Sequence, residues 1–215
     1  SVGKPAEASQ AVHSYGGLVF HDVTTVKYAH KAIECGVDGL ILVCAGAGGH
    51  AGTLSPFAFV TEVREFWSGP IALAGAISTG RAIRAAEILG ADFAYLGTRF
   101  LATTEANTPE AHKRMLVEHA AADIVYSAAF SGVGGNYLRP SIVANGLDPD
   151  QLVDRGDKPA LTMFKPDAGK PKAWKEIWSA GQGLGAIHEV ESVAKLVARL
   201  RREYETAVNE GKSNS

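Results

Sequence analysis

Along the first hundred positions the apolar residues switch between two periodicities. Gly17 to Val23 (GLVFHDV) is a short β-rich run, and Val26, Ala29, Ala32 and Ile33 then recur at helical spacing up to Cys35. Gly36 stops that helix in the usual C′ position. Asp38 to Val43 (DGLILV) is a second apolar run, followed by the glycine-rich loop Ala45 to Gly52. Val60, Val63 and Phe66/Trp67 predict a helix before a strand over Pro70 to Ala76. Ile83, Ala86 and Leu89 predict another before a strand over Phe93 to Leu96. Strand starts separated by roughly 20 to 30 residues leave room for a crossover helix, so the sheet is expected to be parallel. The junctions Gly36-Val37-Asp38 and Gly90-Ala91-Asp92 are near copies, as expected of one repeated βα unit.

From Thr103 to about Gly185 the pattern loosens into segments bearing glycine and proline, with a helix near Glu110 to Ala121. A last helix, Glu189 to about Ala207, carries Val190, Val193, Val197, Leu200 and Tyr204 on one stripe, and the polar tail Asn209 to Ser215 is expected to fray. The expected class is α/β, a (β/α)8 TIM barrel of which this chain supplies the last four strands plus an inserted lid segment. Residues 1–102 form the half-barrel, 103–185 the insertion and 186–215 the closing helix and tail. Closure of such a barrel takes about eight strands. The chain starts at Ser1 without a methionine, which we read as a processed or truncated start, with the first half of the barrel in a missing N-terminal portion. A second polypeptide completing the ring, or an open sheet, are the other arrangements.

Composition narrows the chemistry. With 46% hydrophobic residues and a formal net charge of -2, the chain can bury a sizeable core and offers no positive field to a polyanion, so nucleic acid is not an expected partner. No stretch reaches the roughly 18 apolar residues of a membrane span, and the N-terminus has no signal-like apolar region. Cys35 and Cys44 match no CxxC or metal spacing and are read as small buried residues of a cytoplasmic protein.

Two places carry candidate chemistry. Ala74-Gly75-Ala76-Ile77 and Gly97-Thr98-Arg99-Phe100 each follow a strand that reads as one of the last two of a barrel, where backbone N–H groups converge on a phosphate in many barrels. Glycine permits close approach there, and Thr98 adds a hydroxyl donor. The alternative is plain turn glycines. The second place is Gly48-Gly49-His50-Ala51-Gly52, where glycines carry a histidine whose unperturbed pKa suits proton transfer near neutrality. An incidental surface histidine is the bland reading. In the insertion, Ser131 to Asn136 could be a lid loop, Tyr126, Phe130 and Tyr137 either lid or packing residues, and Arg139 the best candidate for an anionic substrate group. Asp148, Asp150, Asp154 and Asp157 match no calcium-loop template, so no metal is expected.

The ordered set GGHAG, PIALAGAISTG and GADFAYLGTRFLATTEA, with Ala173 to Gly185 (AWKEIWSAGQGLG) behind it, resembles the C-terminal half of the nitronate monooxygenases, formerly 2-nitropropane dioxygenases, over positions 16 to about 207. The resemblance implies FMN as cofactor, Gly48 and Gly49 against the flavin, Ala74, Gly75, Ala76, Gly97 and Thr98 around its phosphate, Gln182 within reach of flavin or substrate, and His50 as catalytic histidine. It further implies a small nitronate substrate and O2. A homodimer is the expected assembly. Two residues depart from the family pattern: Ala76 stands where a second glycine is usual, and His21-Asp22-Val23 places an aspartate where related enzymes offer the flavin a lysine. An NAD(P)H-dependent flavin reductase of a quinone or enoyl thioester is the alternative on the same scaffold. A flavin-free phosphate-binding barrel or non-catalytic subunit is the alternative outside it.

Overall fold

In the computed structural model, residues 6–153 and 175–213 are described. In chain order the elements are α1 (Ala6–His13), β1 (Phe20–Val23), α2 (Val26–Glu34), β2 (Gly39–Val43), β3 (Gly49–His50), α3 (Pro56–Arg64), β4 (Ile71–Ala74), α4 (Gly80–Ile88), β5 (Phe93–Tyr95), α5 (Thr98–Leu101), α6 (Glu110–Glu118), β6 (Ile124–Ser127), β7 (Gly135–Leu138), α7 (Arg139–Ala144) and α8 (Val193–Ser213). They group into two units, one of residues 1–45, 52–96 and 197–215, the other of residues 46–51 and 97–196.

The first unit is the predicted parallel sheet, with strand order β1-β2-β4-β5. Threonine starts two of its helices: Thr25 accepts from the Tyr28 N–H and Thr79 from the Ala82 N–H, while Pro56 opens α3 where no donor is needed. Glycine ends two of them, with φ of 73° at Gly36 and 102° at Gly90. Val23, Leu40, Leu42, Ile71 and Leu73 share the helix-covered face and are buried with Ala29, Phe59, Val60 and Val63. The opposite face holds Phe20, Ile41, Ala72, Phe93 and Tyr95; Phe93 and Tyr95 are each 56% exposed. Phe20 and Phe93 stand on the two outermost strands, about 14 Å apart at ordinary strand spacing. Their rings nevertheless meet edge to face at 6.3 Å. Gly39 permits this, because the Phe20 ring leans over it and a Cβ there would lie 2.3 Å from that ring.

The repeated Gly-X-Asp junction has a physical role in both copies. Asp38 donates its N–H to the Val19 carbonyl and accepts the Val19 N–H on its side chain at 2.6 Å. Asp92 does the same with Ile71, at 2.7 Å. Each carboxylate thus ties the start of its own strand to the start of the strand beside it, and a basic side chain completes each site: His13 on Asp38 and Arg64 on Asp92.

The second unit departs further from expectation. The glycine-rich loop contains β3, which pairs antiparallel with β7, and β7 pairs antiparallel with β6. Two small clusters fill this unit, one of Ala102, Leu116, Leu138, Ala180, Leu184 and Ile187, the other of Tyr137, Ile142 and Ile177. The stretch read as a loosened insertion is therefore organised around its own sheet.

Some boundaries move for identifiable reasons. The strand expected over 70–76 stops at Ala74 because Gly75 and Ala76 take φ of 143° and 55°. The closing helix starts at Val193 rather than Glu189. Residue 191 is already committed, since Thr104 donates to its carbonyl and Thr103 bridges to it, and Glu105 receives the free Val193 N–H. The tail expected to fray stays helical to Ser213, with Arg81 paired to Glu210 at 2.7 Å.

The carboxyls of Asp38 and Asp92 are both held below the ordinary range. For Asp38 the cause is His13 and then the Val19 N–H; for Asp92 partial burial opposes ionisation, but the Ile71 N–H and Arg64 outweigh it. Their contribution to stability is thus complete above the unfolded value of about 3.9 and is lost as pH falls through the lower folded value. In acid titrations followed by circular dichroism, Asp92→Asn should flatten the unfolding limb below about pH 4. At pH 7, Asp92→Ala should cost about 1 kcal/mol, kept small by solvent screening.

Candidate functional site

His50 lies on a two-residue strand fixed from both sides. Gly49 precedes it at φ 78°, a conformation glycine adopts freely, and the register places Gly49 opposite Asn136 and His50 opposite Gly135. The Asn136 amide donates to the Ala47 carbonyl at 2.7 Å, the Ala51 N–H to the Gly134 carbonyl at 3.2 Å, and the Tyr126 hydroxyl to the Ala51 carbonyl at 3.2 Å. The imidazole is half-buried, and its Nε2 lies 2.9 Å from the Ser131 Oγ. Burial pulls its pKa below the ordinary histidine value, so the ring is neutral near neutral pH.

The glycines and their neighbours separate by physical cause. A Cβ on Gly48 would sit 2.8 Å from the Gly181 nitrogen and 2.9 Å from the Thr98 hydroxyl oxygen. One on Gly181 would sit 2.6 Å from the Gly46 carbonyl. The Gly181 N–H donates to the Thr98 Oγ1 at 2.8 Å and the Gln182 N–H to the Gly46 carbonyl at 2.9 Å. Gly48, Thr98 and Gln182 are thus brought together through backbone contacts, and Gly48 is glycine for a reason internal to the protein. Thr98 accepts there and keeps its own proton to donate. The Gln182 side chain is exposed. Gly97 differs: its φ of -113° suits any residue, and a Cβ on it would meet nothing within 4 Å among the described residues.

Ala74, Gly75 and Ala76 belong to the first unit. A Cβ on Gly75 would lie 2.9 Å from the Ala45 carbonyl, and its φ of 143° disfavours side chains in any case. Ala76 is the only non-glycine residue at positive φ among the described residues, at 55°. The N–H groups of Ala76 and Ile77 meet no acceptor among the described residues. The nearby N-terminus of α4 is differently placed: Thr79 caps it and the Gly80 N–H donates to the Glu203 carboxylate at 2.7 Å. Any anion at this strand end must therefore use the 75–77 turn rather than the helix.

Other candidates resolve into structural roles. Arg139 forms two hydrogen bonds with Asp150, at 2.9 and 2.8 Å, and so does not present an open guanidinium for a substrate anion. Tyr137 is fully buried and Phe130 packs on it edge to face at 4.8 Å, whereas Tyr126 is half exposed. Cys44 is buried, which pushes its thiol up to about 12. Asp154, Asp157, Ala173 and Trp174, named from the sequence, lie outside the described residues. Sequence reasoning missed three features. Ser131 sits 81 positions from His50, and nothing local signals the pairing. The fully buried Arg99 is paired with Glu191. Buried His112 stacks on Trp178 at 5.0 Å and hydrogen-bonds the Ser179 carbonyl.

Comparison with known proteins places this geometry. Residues 1–203 match the family model for nitronate monooxygenase. A nitronate monooxygenase of Paraburkholderia phytofirmans is 33% identical over 206 residues, covering 87% of this chain and 54% of the relative. Among solved structures, nitroalkane oxidase from Streptomyces ansochromogenes is 29% identical with a TM-score of 0.76, covering 95% of this chain and 62% of that one. FabK from Thermotoga maritima, at 22% identity and a TM-score of 0.78, covers 100% of this chain and 69% of that one and shares the fold. The chain spans about half the length of the curated relatives it matches. With the family model covering nearly its whole length and a relative at that identity, the chain belongs to the nitronate monooxygenase family.

Proposed function

We propose that this chain is the cofactor-binding part of an FMN-dependent oxidoreductase that oxidises a small alkyl nitronate, or the nitroalkane that yields it, with O2 to a carbonyl compound and nitrite. The parallel sheet of the first unit is read as the C-terminal half of a (β/α)8 barrel, into which residues 103–185 are inserted. Its uncovered apolar face, lined by Phe20, Phe93 and Tyr95, supports that reading as the surface the remaining strands would cover. No helix among the described residues is long and apolar enough to cross a membrane, in keeping with a cytoplasmic enzyme.

The observation that carries the cofactor reading is Gly97. Nothing among the described residues fills the space beside its Cα, and a group that must come close to the backbone there is the reading this supports. The N–H groups of Ala76 and Ile77 in the first unit and, separately, the hydroxyl of Thr98 in the second are the donors read as available to a phosphate. Gly48, Gly49 and Gln182 are read as the flavin's other neighbours. The bound flavin would accept electrons from the nitronate. His50, kept neutral by burial, would take the α-proton of a neutral nitroalkane and orient the nitro group.

Nucleotide released from the purified yellow protein on denaturation should be FMN by mass; FAD, or a colourless protein, would overturn the assignment. Gly97→Ala should leave thermal stability within about 0.5 kcal/mol while weakening FMN at least about tenfold in fluorescence titration. His50→Gln should lower kcat/KM for the neutral nitroalkane by about 10² to 10⁴ and leave the preformed nitronate far less affected. A base is active when deprotonated, so wild-type kcat/KM for the nitroalkane should rise with pH through a midpoint below about 6.5. Anaerobic bleaching of the flavin by NADH but not by nitronate would instead assign a reductase.

A further inference from the structure

Ser131 is buried and makes four polar contacts, all within the unit that holds His50. Its hydroxyl donates to the Val133 carbonyl at 2.9 Å; its oxygen accepts the Val133 N–H at 3.4 Å and the Tyr137 hydroxyl at 3.4 Å, and the His50 Nε2 lies 2.9 Å away. A serine has one proton, and a carbonyl oxygen can only accept. With that proton on Val133, the contact to His50 can be made in one sense only, imidazole N–H to serine oxygen. Tyr137, fully buried and held by Phe130, and the turn closed through Val133 keep the serine oxygen in place.

We propose that Ser131 is a positioning residue that fixes His50 as the Nε2–H tautomer, so that the ring's basic lone pair lies on Nδ1 and Nδ1 is the atom that takes the substrate proton. This rests on the reading of His50 as the catalytic base, although the tautomer itself does not depend on any cofactor. The arrangement suits proton uptake. When Nδ1 gains a proton the ring becomes an imidazolium with both nitrogens protonated, and Nε2–H still donates to the same oxygen, now as a stronger charge-assisted bond. Neither Ser131 nor Val133 has to reorient during the transfer. Had the serine donated to Nε2, the lone pair would have been blocked at the contact itself and any transfer there would have broken it.

Long-range 1H–15N correlation spectra of the full chain, with His50 assigned by comparison with His50→Gln, test this directly above the histidine's titration. The expected result is a single Nε2–H tautomer in the wild type and a mixture in Ser131→Ala, with Ser131→Thr restoring the wild-type pattern. Loss of the acceptor should also shift the His50 titration downward by up to about one unit, since the oxygen favours the cation. A wild-type Nδ1–H tautomer, or a folded Ser131→Ala with unchanged tautomer and titration, overturns the proposal. The wild-type spectrum is decisive even if Ser131→Ala does not fold. Failure to bind FMN or to oxidise nitroalkane would overturn the functional reading while leaving the tautomer as measured.

Discussion

Three stretches of backbone meet in the second unit with no room for a side chain between them: the 46–48 segment, the start of α5 at Thr98, and the turn at Gly181 and Gln182. Gly48 and Gly181 approach so closely that a methyl group on either would overlap backbone atoms, and two hydrogen bonds, Gly181 to Thr98 and Gln182 to Gly46, close the junction. The histidine two residues beyond Gly48 inherits its position from this contact. Everything else that steadies His50, from the β3–β7 pairing to the Asn136 amide on the Ala47 carbonyl, assumes that the loop leaves the junction in one direction. Because interiors pack to near-crystalline density, a methylene added here cannot be absorbed locally.

The first unit was largely legible because its elements are determined locally. The helices α2 and α4 carry their own start and stop residues, each strand is a short apolar run, and the Gly-X-Asp repeat announces a repeated unit before its hydrogen bonds are known. The second unit was not, because its order comes from partners remote in sequence. β3 is two residues long and has no periodicity to read; it exists only because β7 lies beside it. Ser131 and Asn136 looked like parts of a polar loop for the same reason. The closing helix shows the limit from the other side. Val190 fits the helical stripe, yet Glu191 is drawn away by Arg99 and by Thr104, and tertiary contacts override the periodicity.

Glycine counts alone would have misled. Gly48 and Gly75 are constrained by neighbouring backbone and Gly49 by its φ, whereas Gly97 meets no such constraint among the described residues. The same distinction bears on Ala76. An alanine held at φ 55° carries strain of about 1 to 2 kcal/mol relative to the right-handed region. The turn held in this conformation leaves the consecutive N–H groups of Ala76 and Ile77 without an acceptor among the described residues, a shape suited to an anion. The departure from the family's second glycine therefore leaves the backbone geometry intact. Its exposed methyl is what would have to be accommodated by a phosphate.

A histidine that burial keeps neutral is of little use to a substrate that arrives already as an anion. Nitronates need no deprotonation, and a neutral imidazole brings them no charge. A nitroalkane is different, because its α-proton must go somewhere before electrons can leave, and a neutral ring with its lone pair available at physiological pH is the acceptor it requires. The depressed titration of His50 and its anchoring through Ser131 point the same way. On the proposed reading, a neutral nitroalkane would draw on His50 as a base, whereas a preformed nitronate would not.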